Sequence, residues 1–236
     1  MGKNKKQFPL ETKENCRIYL CRIISSCELC MDKLKKYNTE IKNNLEKYSQ
    51  SDTVPYDIYG EYVDKTYNVI SYLLNLLGDC QKISISYFKY RQEISKRIKR
   101  GNVEIPLTEM PEETKALLYE FNKTRNWLNH VPESLLIAEA ELINSGKILF
   151  PMDPVEITHY NDVSYGYFEN LYLTNVEFYK KSRQIIQVAK RDYSLLMGKC
   201  ITYPRIYSSK PLSDEKSEAS KMSAQIQGLS IEFVSE

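Results

Sequence analysis

Two residues suited to phosphate chemistry lie close together in the middle of the chain, in the segment FNKTRNWLNHVPESLL at 121–136. Arg125 carries a planar guanidinium that can grip two phosphate oxygens, and His130 carries an imidazole that can exchange a proton near neutral pH. His130 is one of only two histidines in the chain, so this pairing sets the segment apart. An anion-binding group and a proton carrier held at a helix junction are two parts of a phosphoryl-transfer site.

The predicted helix around Arg125 has an apolar stripe formed by Leu118, Phe121 and Leu128. Arg125 falls on that stripe, where a buried charge is costly unless it has a partner. We therefore expect it to meet a carboxylate, a bound anion or a partner chain. Pro132 disfavours helical angles at Val131, so the helix is expected to bend or end near His130. The competing interpretation is an Arg–carboxylate bridge beside a surface histidine.

The sequence RNWLNH at 125–130 resembles the R-[polar]-x-x-x-H motif of HEPN domains. Arg125, Asn126 and His130 occupy the three motif positions. The resemblance implies an all-α dimer that cleaves RNA without a metal, as in toxin–antitoxin and abortive-infection systems that act against phages. It implies that His130 moves the proton, that Arg125 stabilises the phosphorane, and that Asn126 orients the histidine or the phosphate. Pro132 stands where the adenylylated members of the family have tyrosine, which argues against that form of regulation.

Basic and aromatic residues alternate in the segment YFKYRQEISKRIKRGN at 87–102. Cations that bind phosphates and aromatic rings that stack on unpaired bases are the means by which single-stranded RNA is held. The candidate RNA-binding residues are Lys89, Arg91, Lys96, Arg97, Lys99 and Arg100, interleaved with Tyr87, Phe88 and Tyr90. The alternative is a solvated helix end whose cations complement the helix dipole.

A run of possible metal ligands follows at three-residue steps: Asp153, Glu156, His159 and Asp162. Asp153 before Pro154, with Glu156 three residues after the aspartate, is also a typical arrangement for the start of a helix. We favour that interpretation and predict no metal and no cofactor. A metal-dependent enzyme using this run is a third, weaker hypothesis.

Six cysteines occur, four of them between 16 and 30. The C-x-x-C sequence CELC at 27–30 could begin a zinc site, but no second pair of metal-binding residues follows it at zinc-finger spacing. Cys16, Cys27 and Cys30 share one face of a predicted helix, where free cysteine behaves as a small apolar residue. We expect them to pack in the core.

Helical periodicity dominates the chain and predicts an all-α fold, an elongated bundle of long antiparallel helices with a C-terminal helix and a flexible tail. Long helices are predicted over 12–48 and 61–100, the second subject to interruption at Gly78 and Asp79. Further helices are predicted from 111, over 133–146 and over 167–197. This gives a HEPN-like domain at 1–146, a connection and packing helix at 147–206, and a tail at 207–236.

The balance of charges and the lack of long apolar runs argue against a generally basic protein and against a membrane-spanning one. Lys+Arg 33 against Asp+Glu 31 gives a net charge of +2, so any site for a polyanion must be local. No signal-peptide pattern and no apolar run of membrane-spanning length is present, which predicts a cytoplasmic location. We expect an endoribonuclease that acts as a homodimer or higher oligomer, with an antitoxin or phage component as possible regulator. The alternative is a catalytically silent helical adaptor.

Overall fold

Long helices account for most of the fold in the computed structural model, which describes residues 8–101, 105–129, 133–146 and 159–201. The elements in these ranges are α1 (Lys13–Lys47), β1 (Thr53–Pro55), α2 (Tyr56–Gly78), α3 (Tyr87–Lys99), α4 (Glu112–Asn129), α5 (Glu133–Asn144), β2 (Asp162–Ser164) and α6 (Tyr165–Met197). The predicted all-α class is confirmed. The predicted tail at 207–236 lies outside the described residues.

The first helix forms as its sequence predicts. Thr12 caps it, because the Thr12 hydroxyl oxygen accepts from the backbone N–H of Asn15 at 3.1 Å. Cys16, Cys27 and Cys30 are buried on its inner face as free thiols, which confirms the expectation that they pack in the core. Burial raises the pKa of the Cys27 thiol, so this sulfur stays protonated and unreactive at neutral pH.

The prediction of one helix over 61–100 is wrong, because α2 ends at Gly78 and α3 begins only at Tyr87. The interruption falls at the pair that the sequence singled out. Asp79 leaves the helix in an extended conformation, and its Oδ1 accepts from the backbone N–H of Gln81 at 2.8 Å. Ser86 then caps α3 by accepting from the backbone N–H of Lys89 at 3.1 Å.

Gly78, the last residue of α2, packs against the backbone of α4. A Cβ added there would lie 2.7 Å from the backbone nitrogen of Asn122 and 2.8 Å from the carbonyl carbon of Phe121. Both atoms belong to the backbone of α4 and cannot rotate away. The absence of a side chain at this residue therefore sets the spacing of the two helices.

Gly78→Ala is expected to lower the free energy of unfolding by about 1–3 kcal/mol, the usual range for overpacking, because α4 must move to admit the methyl group. Gly60→Ala on the same helix is the matched control. A Cβ at Gly60 meets nothing closer than a Tyr56 ring carbon at 3.7 Å, and Ala for Gly inside a helix stabilises by roughly 0.5–1 kcal/mol. Urea denaturation of both variants measures the difference, and a Gly78→Ala protein as stable as Gly60→Ala would contradict the close approach.

A short antiparallel pair of strands joins two helix starts, a feature that the sequence did not predict. The register pairs Thr53 with Ser164, Val54 with Val163 and Pro55 with Asp162. Each strand leads directly into a helix, and each helix start is tied to the opposite connection. The backbone N–H of Tyr56 donates to the Asn161 carbonyl at 2.8 Å, and that of Tyr165 donates to the Asp52 carbonyl at 2.9 Å. The strands thus hold the first turns of α2 and α6 side by side.

Two apolar clusters form the core of the described residues. The larger one draws side chains from α1, α2, α3, α4 and α6. The smaller one lies next to the strands and consists of Ile41, Leu45, Val54, Tyr62 and Phe168. Buried polar residues separate the clusters along three helices: Asn38, Thr66 and Asn175. Because α6 contributes to both clusters, the C-terminal helix shares its core with the segment predicted as the HEPN-like domain.

Candidate functional site

Arg125 is held by three hydrogen bonds on the inner face of α4. Its Nε donates to Asn75 Oδ1 at 2.9 Å, its Nη2 to Asp79 Oδ2 at 3.1 Å, and its Nη1 to Asn126 Oδ1 at 3.1 Å. Only 8% of the residue is exposed. The guanidinium plane is therefore fixed by groups on α2, just after α2 and on α4. Of the three expected partners, a carboxylate, a bound anion or a partner chain, the structure shows a carboxylate, which is the Arg–carboxylate bridge of the competing interpretation.

Asp79 links this site to the break between α2 and α3. It is 5% exposed, and its two carboxylate oxygens accept hydrogen bonds from different parts of the protein. Oδ2 accepts from Arg125, whereas Oδ1 accepts from Gln81 and fixes the turn that follows α2. The hydroxyl of Ser86 also donates to the Asp79 carbonyl oxygen. Moving Asp79 would therefore disturb both the arginine and the start of α3.

Sequence reasoning did not select Asn75 or Asp79 as site residues. Asn75 interrupts the apolar stretch Leu73, Leu74, Leu76, Leu77 at the end of α2, and Gly78 and Asp79 follow it. Polar residues there, next to a glycine, were the available signal that this end of the helix meets something polar. This pattern could not identify Arg125 as the partner of Asp79, because Asp79 and Arg125 are 46 positions apart in the sequence.

The other two motif residues differ in what the structure describes. Asn126 is exposed on α4, and its side-chain oxygen accepts the Arg125 bond. α4 ends at Asn129, where the sequence predicted a bend or an end, and the Tyr67 hydroxyl donates to the Leu128 carbonyl at 3.1 Å in the last turn. His130 lies outside the described residues, so its place in the candidate site stays a prediction.

The helix that follows the motif carries apolar side chains on its surface. Leu136, Ile137 and Leu142 of α5 are all exposed. Trp127, on the turn of α4 that precedes the motif histidine, is also exposed, with the Lys123 ammonium 5.4 Å from its ring centroid. Exposed apolar side chains on the helix that follows the motif in the sequence, and at Trp127 within it, favour an interaction surface in this part of the chain.

Of the six candidate RNA-binding residues, Arg91 is enclosed in the protein. Its Nη1 donates to both carboxylate oxygens of Asp192 at 2.9 Å, and its Nη2 donates to the Thr108 carbonyl at 2.8 Å. The aromatic rings predicted to stack on bases are enclosed as well. Tyr87, Phe88 and Tyr90 all belong to the buried core. This part of α3 builds the fold, and its rings are enclosed in the core.

Lys89 closes the loop that precedes α3. Its Nζ donates to the carbonyl oxygens of Lys82 at 2.6 Å and Ser84 at 2.9 Å. Burial lowers the pKa of this ammonium, while Glu93 and Asp79 oppose the change. The Lys89 ammonium is therefore bonded within the protein, as the Arg91 guanidinium is.

The four cations at the end of α3 lie nearer the surface. Lys96 pairs with Glu93 at 3.3 Å, and Arg97 pairs with Glu11 at 3.6 Å, whereas Lys99 and Arg100 are exposed. These residues lie next to the start of α1, while Arg125 contacts the end of α2. Arg125 and the four cations therefore occupy separate parts of the described structure, linked through the loop that begins at Asp79.

The structure describes two of the four possible metal ligands. Asp153 and Glu156 lie outside the described residues, while His159 and Asp162 are exposed near the strands. In the described ranges, no three His, Cys, Asp or Glu side chains form a group able to hold a metal ion. No described helix is long and apolar enough to cross a membrane.

Searches against models of protein families, curated proteins and solved structures find no match to this chain. The resemblance to HEPN domains therefore rests on the segment 125–130 and the all-α architecture.

Proposed function

We propose that the chain is a metal-independent endoribonuclease whose reaction centre is formed by Arg125, Asn126 and His130. The supporting observation is the fixed guanidinium at the end of α4, held by Asp79 and Asn75 and directly bonded to the exposed Asn126. An arginine whose orientation is fixed before substrate binds loses little further freedom when it grips a phosphate. His130 follows α4 by one residue, close in sequence to both.

The proposed reaction uses the RNA itself as the nucleophile. The 2′-hydroxyl loses its proton to a base and its oxygen bonds to the adjacent phosphorus, while the bond from phosphorus to the 5′-oxygen breaks. The leaving oxygen takes a proton, so the products carry a 2′,3′-cyclic phosphate and a 5′-hydroxyl. His130 moves these protons, and Arg125 stabilises the charge that develops on the phosphorane oxygens. No metal is required.

A homodimer suits this chemistry because removing the proton of the 2′-hydroxyl needs a base, whereas protonating the leaving 5′-oxygen needs an acid. Two copies of His130 at a shared cleft would supply both. The exposed Leu136, Ile137 and Leu142 of α5, directly after the motif, support a surface for a second copy at that place. As a toxin of a phage-defence system, such an enzyme would act on cytoplasmic RNA and be restrained by an antitoxin or released by a phage component.

A second candidate function is that of a helical adaptor without catalysis. The observation that favours it is the ion pair of Arg125 with Asp79, in which both side chains are buried. A guanidinium that bridges α2 and α4 already has a structural role. In this case the exposed apolar side chains of α5 would bind a partner protein.

The purified chain is expected to cleave single-stranded RNA in the presence of EDTA and to leave 2′,3′-cyclic phosphate ends. The physical reason is that attack by the 2′-hydroxyl needs only proton transfer and charge stabilisation. Gel analysis of end-labelled RNA, with and without phosphatase treatment that distinguishes the ends, is the measurement. Activity that EDTA abolishes, or a broad RNA panel left intact by the dimer, would contradict the proposal and favour the adaptor.

A further inference from the structure

An open pocket of about 430 Å³ lies between the segment before α1, the loop after α2 and one face of α3. Pockets that hold small ligands span roughly 300–1,000 Å³, so this volume accommodates a small ring system with a polar group. Its walls include the side chains of Phe8, Ile83, Ile85, Lys89, Glu93 and Arg97. The α3 members follow one another at four-residue steps, which places them along one face of the helix.

A series of aromatic rings ends at this pocket. Starting from the core, Tyr87 and Tyr90 are 6.4 Å apart, Tyr90 and Tyr19 are 5.8 Å apart, and Tyr19 and Phe8 are 6.1 Å apart between ring centroids. The three tyrosines are buried, whereas Phe8 is 46% exposed. The Tyr19 hydroxyl oxygen accepts from the backbone N–H of Ser86 at 3.1 Å, which anchors the series. A planar ring in the pocket could continue it by stacking on Phe8.

The charges around the pocket favour a ligand with an anionic group. Lys82, Lys89 and Arg97 line it, against Glu11 and Glu93, which leaves one positive charge in excess. Arg97 Nη1 is 3.6 Å from Glu11 Oε1, and the Glu11 side chain is 64% exposed. So long and exposed an ion pair contributes little stability, and a phosphate can replace the Glu11 carboxylate.

We propose that this pocket binds a single nucleotide. The base stacks on Phe8 beside Ile83 and Ile85, the phosphate binds Arg97, and Glu93 accepts from an amino group on the edge of the base. The identification of the nucleotide as an unpaired residue of an RNA strand rests on the proposed function. A free nucleotide offers the same base and phosphate, so the experiment includes both.

The test measures quenching of 2-aminopurine fluorescence, which reports stacking of that base. One ligand is a short single-stranded 2′-O-methyl oligonucleotide carrying 2-aminopurine, which has no attacking hydroxyl and cannot be cut by the proposed reaction. The other is 2-aminopurine riboside monophosphate. Phe8→Ala is expected to weaken binding on the order of 5- to 150-fold, the effect of losing one stacked base. Arg97→Gln is expected to weaken oligonucleotide binding and to reduce its salt slope by about 0.7.

Matched controls come from exposed residues outside the pocket. Tyr167→Ala removes an exposed aromatic ring of α6, and Arg183→Gln removes an exposed cation of α6. Both should bind both ligands as the unmodified protein does. Ile83→Ala is a second variant of the pocket, in an exposed loop residue, in case Phe8→Ala fails to fold.

The outcomes separate this proposal from the ribonuclease. Quenching by the oligonucleotide alone supports a subsite for RNA, and equal affinity for the monophosphate supports a free nucleotide as ligand. Phe8→Ala and Ile83→Ala proteins that bind both ligands as tightly as Tyr167→Ala would overturn the pocket, even if the chain cuts RNA. Binding that depends on Phe8 in a chain that never cuts RNA would leave the pocket standing and refute only the ribonuclease.

Discussion

His130→Ala is expected to reduce RNA cleavage by about 10²- to 10⁴-fold, the usual contribution of a positioned proton carrier, while the melting temperature stays unchanged. The residue follows the end of α4 by one position and precedes Pro132 by two, so its replacement leaves the described contacts of α4 intact. The cleavage rate and the melting temperature must be measured on the same preparation. A His130→Ala protein that cuts at the unmodified rate would end the assignment of this motif as a ribonuclease site.

Arg125 needs a different experiment, because its loss combines two effects. Removing it leaves the buried Asp79 carboxylate without its partner, and breaking a buried pair from one side costs on the order of 3–5 kcal/mol. Low activity of Arg125→Ala would therefore be ambiguous by itself. Arg125→Lys keeps the charge but loses the planar fork that contacts Asn75 and Asp79 together, so it should restore stability better than activity. Activity that follows the folded fraction across these variants would favour the adaptor.

The need of Arg125 for a partner could be predicted from the sequence, whereas the identity of the partner could not. Helical phase placed the arginine among Leu118, Phe121 and Leu128, and an unpaired charge there is too costly to persist. The choice of Asp79 depends on how α2 crosses α4. That crossing is set by the missing side chain of Gly78 and by contacts between residues far apart in the chain.

The α3 region shows why a local pattern can mislead. Alternating cations and rings at 87–100 are typical of an RNA-binding surface, yet the same pattern arises when a helix buries its rings, pairs one cation inside the protein and exposes others at its end. Tyr87 and Tyr90 are one helical turn apart, so they share a face, and that face packs inward. Which face a short helix buries depends on the helices that pack against it, and the local pattern does not specify them. The two short strands escaped prediction because three residues are too few to show a period.

A second large effect is expected at Asp192, a buried carboxylate of α6 that ties together three parts of the core. It is fully enclosed, and it accepts from the Tyr87 hydroxyl at 2.7 Å, from Arg91 at 2.9 Å and from the backbone N–H of Thr108 at 3.0 Å. Burial, together with the nearby Asp192 charge, raises the pKa of the Tyr87 hydroxyl well above its ordinary value, so Tyr87 remains a donor. One carboxylate therefore joins α6 to α3 and to the segment that leads into α4.

Asp192→Ala is expected to lower the free energy of unfolding by about 3–5 kcal/mol, because it leaves the Arg91 guanidinium buried without its carboxylate. Urea denaturation followed by circular dichroism measures the change. Asp32→Ala, at an exposed aspartate of α1, is the matched control and should stay within about 0.5 kcal/mol of the unmodified protein. Removing both charges in Arg91→Met/Asp192→Ala should recover part of the loss, since the double variant no longer buries an unpaired charge. If Asp192→Ala is as stable as Asp32→Ala, the carboxylate does not hold these elements together. If the double variant is less stable than Asp192→Ala by the full effect of a second independent loss, the two side chains are not coupled.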